Sequence, residues 1–190
     1  MKIGLFFGSF NPIHIGHLII ANTIAHSPEV SQVWFVISPQ NPFKKNTSLL
    51  HEFDRFDMVR LAIADNEKLN VTDIEFHLPK PSYTIDTLTY LQEKYPHHEF
   101  KIIVGEDNLK GFEKWKNYDK ILEYYEVLVY PRPCVEATPF HSHPKVKFIS
   151  APLIDLSATY IRNLIRNRQS IKYLVHEDVE TLIRVKGFYL

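Results

Sequence analysis

Six short, strand-like runs punctuate the chain, several of them almost continuously apolar: KIGLFF (2–7), VWFVIS (33–38), VTDIEF (71–76), FKIIV (100–104), EVLVY (126–130) and VKFIS (146–150). A strand with one wet face alternates polar and apolar residues, so runs without that alternation ask for cover on both faces. Helical periodicity fills the intervals. Phe53, Phe56, Val59 and Ile63 recur at helical spacing in 53–64, and Ile85, Leu88, Leu91 and Tyr95 do so in 84–95, where Pro96 closes the segment. Strands alternating with helices predict a doubly wound α/β sheet, in which ligands bind beyond the carboxyl ends of the strands at the topological switch point.

The tail departs from the alternation. Residues 157–167 read as a helix with Ser157 at its N-cap and Ile161, Leu164 and Ile165 on its inner face. A second helix spans about 176–185, with Glu177 and Asp178 in its first turn and Gly187 as its stop. The expected architecture is a Rossmann-like, doubly wound, mainly parallel sheet with a C-terminal helical portion. One domain would span 1–190, with the helices of about 157–190 appended. The stretch PRPCVEATPFHSHP (131–144) reads as a long loop in which His141, His143 and Cys134 have no assigned role.

Composition excludes several classes. Lys plus Arg and Asp plus Glu both number 22, which gives no general attraction to nucleic acid or to an anionic membrane, so any polyanion must be met by a local site. The single cysteine forms no internal disulfide and no thiolate metal cage, which fits a reducing, cytoplasmic compartment. The N-terminal apolar run is too short for a spanning helix or a signal-peptide core. A homo-oligomer is compatible with the sequence.

The stretch GSFNPIHIGH (8–17) follows the first predicted strand and runs into the helical HIGHLIIANTIA, so His14 and His17 lie at a strand-to-helix turn. Backbone N–H groups and the helix dipole favour an anion there, commonly a phosphate. Gly8 allows a close turn, Pro12 stiffens it, and Gly16 leaves room for a ligand at the backbone. Two imidazoles three residues apart can face one side and donate to phosphate, gaining charge as it binds. An arbitrary HxxH pair is otherwise one capping and one packed histidine. It is less readily zinc, since no third ligand follows at suitable spacing.

GSFNPIHIGH resembles the phosphate-binding H/T-x-G-H signature of the nucleotidyltransferase superfamily, which class I aminoacyl-tRNA synthetases share. A synthetase would need a longer chain and a Lys-rich second motif. SATYIR (157–162) instead resembles the Ser-x-Thr-x-Ile-Arg motif of adenylyltransferases. Over nearly its whole length the chain resembles bacterial nicotinate mononucleotide adenylyltransferases: PQNPFK (39–44), RFDMVRLAI (55–63), PSYTIDTL (81–88), VGEDNLKGFEKW (104–115) and the closing YLVHEDVETLIRVKGFY all have counterparts there. Phe7 and Asn11 stand where many members have Gly and Asp, and Val175-His176 where Val-Pro is usual.

The resemblance implies adenylyl transfer from ATP to nicotinate mononucleotide, giving nicotinate adenine dinucleotide and pyrophosphate in NAD biosynthesis. Transfer to another phosphorylated acceptor, such as nicotinamide mononucleotide or phosphopantetheine, stays open, as does a non-catalytic ATP-binding module. It assigns His14, His17, Lys44 and Arg162 to the chemistry. His17 would contact the α-phosphoryl oxygens, and Lys44 and Arg162 the β/γ end. Gly8, Ser9, Phe10, Gly105, Asp107, Ser157 and Thr159 would complete ATP binding, Gly105 and Asp107 at the ribose. Trp115 would stack on the pyridine ring, Tyr83 and Thr84 would donate to its carboxylate, and Asp86 would order that block. Mg²⁺ is expected as a cofactor held mainly by ATP phosphates, with no dedicated protein metal site.

Overall fold

The computed structural model describes residues 1–39 and 49–190. Among these residues the strands are β1 (Lys2–Gly8), β2 (Gln32–Ile37), β3 (Leu69–Thr72), β4 (Glu99–Gly105), β5 (Glu126–Tyr130) and β6 (Val146–Phe148). All pairings are parallel, in the order β3-β2-β1-β4-β5-β6. The helices are α1 (Ile15–Ala25), α2 (Glu52–Ala62), α3 (Thr84–Lys94), α4 (Tyr118–Tyr124), α5 (Ala158–Arg166) and α6 (Glu177–Lys186).

Successive strand residues serve opposite layers, which explains the unbroken apolar runs. Val33, Phe35 and Ile37 of β2, with Leu128 and Tyr130 of β5, join the cluster built by α1, α2, α5 and α6. Trp34 and Val36, with Ile3 and Leu5 of β1 and Ile102 and Val104 of β4, join the cluster built by α3 and α4. Lys101 breaks the apolar pattern, and its buried amine is paired with Glu29 at 2.8 Å and Glu126 at 2.6 Å. The chain leaves β1 and β2 by helices on one face and returns from β3 to β4 by α3 on the other. The switch point therefore falls between β1 and β4, whose carboxyl ends are Gly8 and Gly105.

One expected boundary changes. Residues 71–76 do not form a strand: β3 ends at Thr72, and Ile74–His77 is a 3-10 turn closed by a Phe76 N–H to Asp73 carbonyl bond of 2.8 Å. That turn carries Ile74 and Glu75 inward from the sheet edge. The helical α4 and the 3-10 segment Glu106–Lys114 were not expected from periodicity, because both are short. The tail follows expectation: Ser157 caps α5 by accepting from Tyr160 N–H, and Gly187 ends α6 at φ +65°, a left-handed value that glycine adopts freely. Among the described residues no helix is long and apolar enough to cross a membrane.

Candidate active site

A cleft of about 370 Å³ opens at the switch point. Gly8 and Gly105 form its floor, Tyr83, Thr84 and Trp115 stand on one wall, and Asp107 lies at the β4 end. A Cβ at Gly105 would meet the Asp107 carboxylate and stand 3.1 Å from the Tyr130 ring, so any other residue there would push Asp107 aside. At Gly8 the same atom would meet the Phe10 ring at 2.8 Å. Phe10 itself sits at φ +44°, folding its side chain back against Phe6 and Phe35.

The histidine pair borders a smaller recess that shares Phe6 and Tyr130 with the cleft. The two rings stack at a centroid distance of 3.6 Å and an angle of 22°. His14 is the N-cap of α1, and its backbone N–H donates to His17 Nδ1 at 3.3 Å. A ring nitrogen that accepts carries no hydrogen, so neutral His17 keeps its proton on Nε2, as a donor. Burial, followed by the Arg132 charge, lowers the His14 pKa to about 4. Burial, His14 and Arg132 hold His17 well below the ordinary histidine value. Both rings are therefore neutral donors near pH 7, and any charge they gain must come with an incoming anion. His14 Nδ1 is buried with no hydrogen-bond partner.

The two sequence motifs meet. Arg162, on α5, donates through Nη1 to the Asn11 carbonyl at 2.8 Å and through Nη2 to Thr159 Oγ1 at 3.1 Å, while its Nε is buried without a partner. Asn11 Oδ1 accepts from the Tyr189 hydroxyl at 2.9 Å and from Leu50 N–H at 3.3 Å. The Ser9–Phe10–Asn11 turn is thus held by groups from α5 and from beyond α6.

One expectation needs correction. Gly16 is not open space for a ligand: a Cβ there would meet Ile154 Cγ2 at 2.9 Å and the His14 ring at 3.0 Å, so the glycine admits that ring instead. Asp86 lies beside Tyr83 and Thr84, its backbone N–H donating to the Tyr83 carbonyl at 3.0 Å. Its carboxylate binds Lys116 Nζ at 2.7 Å, and that ammonium lies 4.9 Å from the Tyr83 ring centroid. Trp115 is half-buried against Phe112, with ring centroids 4.9 Å apart. Lys44 lies outside the described residues.

Sequence reasoning missed three groups. Arg132 follows β5, donates to the Ile154 carbonyl at 3.3 Å and faces Asp107 at 3.5 Å, which makes it the cation of the histidine recess. Its signal was its position just past a strand's carboxyl end. Arg55 is fully buried on α2. Glu75 lines the cleft at 2% exposure, hidden by the strand reading of 71–76. One of its oxygens accepts from the Thr87 hydroxyl at 2.8 Å and the other is buried with no hydrogen-bond partner.

Burial raises the Glu75 pKa, partly offset by the hydroxyls of Thr87, Ser38 and Ser82. A raised carboxyl contributes most to stability below its unfolded value and loses that contribution as pH climbs through its folded value. Glu75→Gln keeps the Thr87 bond without the ionisation. It is expected to melt about 2–4 °C above wild type at pH 8, the shift that ~1 kcal/mol gives a chain of this size. Melting curves at pH 4 should show the margin gone.

Among the described residues no three His, Cys, Asp or Glu side chains form a group that could hold a metal ion. A switch-point cleft flanked by donors for an anion and by an aromatic wall is the arrangement of a nucleotidyl-transferring class, and the cytidylyltransferase-like family model matches residues 5–164, from β1 into α5. A Cytophaga hutchinsonii protein named "Probable nicotinate-nucleotide adenylyltransferase" is 60% identical over 100% of this chain and 98% of its own length. One of the same name from Flavobacterium johnsoniae is 49% identical over 100% of this chain and 99% of its own. The chain belongs to the nicotinate-nucleotide adenylyltransferase family. The Plasmodium falciparum nicotinic acid mononucleotide adenylyltransferase, solved with NaAD, superposes with a TM-score of 0.84 at 21% identity, over 99% of this chain and 97% of that one, and shares its fold.

Proposed function

We propose that this chain transfers the adenylyl group of ATP to nicotinate mononucleotide. The juxtaposition of the histidine recess with the Trp115 and Tyr83–Thr84 wall at one switch point carries the reading, because the transfer needs two nucleotides placed end to end. A phosphate oxygen of the acceptor attacks the α-phosphorus, the bond from that phosphorus to the bridging oxygen of the β-phosphate breaks, and pyrophosphate leaves with the electron pair. The nucleophile is already anionic, so positioning and charge stabilisation suffice.

His17 would donate from Nε2 to the α-phosphoryl oxygens and His14 would stand beside it. Arg162, with Ser157 and Thr159 at the start of α5, would face the β/γ end together with Lys44. The backbone at Gly8, Ser9 and Phe10 would line the phosphates, and Gly105 and Asp107 would hold the ribose. Trp115 would stack on the pyridine ring, a contact worth about 0.5–1.5 kcal/mol beyond burial, with Tyr83 and Thr84 donating to its carboxylate. Asp86 would act on that block through Lys116.

Mg²⁺ would travel with the nucleotide. The recess offers neutral imidazoles and arginine, and Asp107 already faces Arg132, a donor set suited to anions rather than to a metal cage. Bound to the phosphates, the ion supplies charge neutralisation of the leaving pyrophosphate. We also take 1–190 as one domain with the C-terminal helices appended. Ile15 N–H donates to the Leu174 carbonyl at 2.9 Å, and α6 packs on α2, so the tail supports the site. A cytoplasmic setting fits a chain with one cysteine.

The test is kcat/KM for nicotinate mononucleotide, its amide and phosphopantetheine, followed by pyrophosphate release. The acid should be used at least tenfold better than either of the others. Equal use of all three overturns the acceptor assignment, and ATP turnover that ignores every acceptor overturns the transfer.

A further inference from the structure

We propose that Arg55, fully buried on α2, is a positioning residue that sets the phosphate-facing turn after β1 by gripping the backbone beneath it. The inference rests on the adenylyl-transfer reading above and goes beyond it, because Arg55 lies in none of the motifs assigned to substrate.

Among the described residues, the hydrogen bonds of its guanidinium all go to main-chain carbonyls. Nη1 donates to Ser9 at 2.6 Å and to Ser38 at 2.9 Å, Nη2 to Pro39 at 3.3 Å and Nε to Leu50 at 3.0 Å. Ser9 belongs to the turn after β1. Ser38, Pro39 and Leu50 belong to the segment after β2, on either side of the residues that include Lys44. One side chain thus ties together the two segments that flank the ATP side of the proposed site. Its residue is fully buried, and no described carboxylate forms an ion pair with it. A buried cation must be compensated by hydrogen bonds or by an anion. Here four carbonyls do so, aided by the field of the Glu52 carboxylate.

Peptide planarity shows what the grip achieves. In a trans peptide the carbonyl of one residue and the N–H of the next point in opposite directions. Ser38 N–H takes the Gly8 carbonyl at 2.9 Å, which turns Ser9 N–H the other way. Arg55 takes the Ser9 carbonyl, which turns Phe10 N–H away from Arg55. Two consecutive N–H groups held with their carbonyls tied back make the kind of concavity that binds phosphate oxygens. Arg162 takes the next available carbonyl, that of Asn11, from α5. The turn is therefore clamped between two guanidiniums, and Arg55 is the one that also fixes the β2 segment.

The fork is what matters, so lysine, which keeps the charge as a single point, should not replace it. In Arg55→Lys, assayed at 20 °C with the folded fraction counted by near-UV circular dichroism, kcat/KM for ATP should fall 10–100-fold. The KM for the acceptor should stay within twofold, and calorimetric Kd for a non-hydrolysable ATP analogue should rise at least tenfold. A merely structural arginine would lower Tm and leave both ATP readouts of the folded fraction within twofold of wild type, which overturns the proposal. Arg55→Gln, which can hold one carbonyl and carries no charge, is read in the same way if the lysine variant does not fold. Failure of both to fold also overturns it, since Arg55 would then belong to the scaffold. Wild-type turnover is the separate control: no turnover with nicotinate mononucleotide defeats the functional reading, while the analogue Kd still decides on Arg55.

Discussion

His17→Ala is expected to lower kcat about 10²–10³-fold, the loss seen when one preorganised donor to a developing charge is removed. The Nε2–H is held as a donor by the bond that Nδ1 accepts from His14 N–H. Its burial keeps the ring from titrating near neutrality, so no protonation step has to precede substrate binding. The contribution would be greatest when negative charge spreads over the α-phosphoryl oxygens, so the fall should appear in kcat and in kcat/KM together. The ring makes edge contacts with Phe6 and Phe10, and losing them should lower Tm by only a few degrees. Steady-state kinetics beside a melting curve checks both halves. Unchanged turnover would remove His17 from the reaction.

Arg162→Lys is expected to cost about 10²-fold in kcat/KM for ATP. The guanidinium now serves Asn11 and Thr159 at once, and its buried Nε has no partner in the protein. Lysine keeps the charge as a single point but lacks the planar fork that serves both acceptors at once. The turn after β1 would then lose part of its α5 clamp, and a phosphate at this place would lose two-pronged recognition. Initial-rate measurements over a range of ATP concentrations read the effect, with the acceptor saturating. A change under threefold would show that Arg162 serves only the scaffold.

Much of this was legible in the chain. The apolar runs announced a sheet covered on both faces because Trp34 and Val36 serve one layer while Val33, Phe35 and Ile37 serve the other. The fold brings the HxxH stretch and the SATYIR segment together from the two ends of the chain, Arg162 reaching the Asn11 carbonyl, and Ser157 and Gly187 announced helix ends through local preference alone. What stayed hidden depended on distant partners. The neutrality of His14 and His17 comes from burial and from Arg132, which reaches them from beyond β5. Asp86 belongs with the Tyr83–Thr84 stretch, but the sequence does not show that Lys116 comes to meet it. Glu75 was concealed by an edge strand that ends early, since the apolar residues Val71, Ile74 and Phe76 suit a strand as well as a turn entering the core. Arg55 opens the RFDMVRLAI block, but its role stayed hidden, because carbonyl partners leave no trace in residue identity.

The strand order also bears on how the molecule is assembled. β1 lies inside the sheet, yet β2 adds to one of its edges and β3 to β2, after which β4 adds to the other edge of β1, β5 to β4 and β6 to β5. Every strand finds a free edge waiting, and none has to wedge itself between neighbours already joined. Growth by accretion in synthesis order leaves at most two open edges at any stage, which limits the surface through which a half-made chain could pair with another.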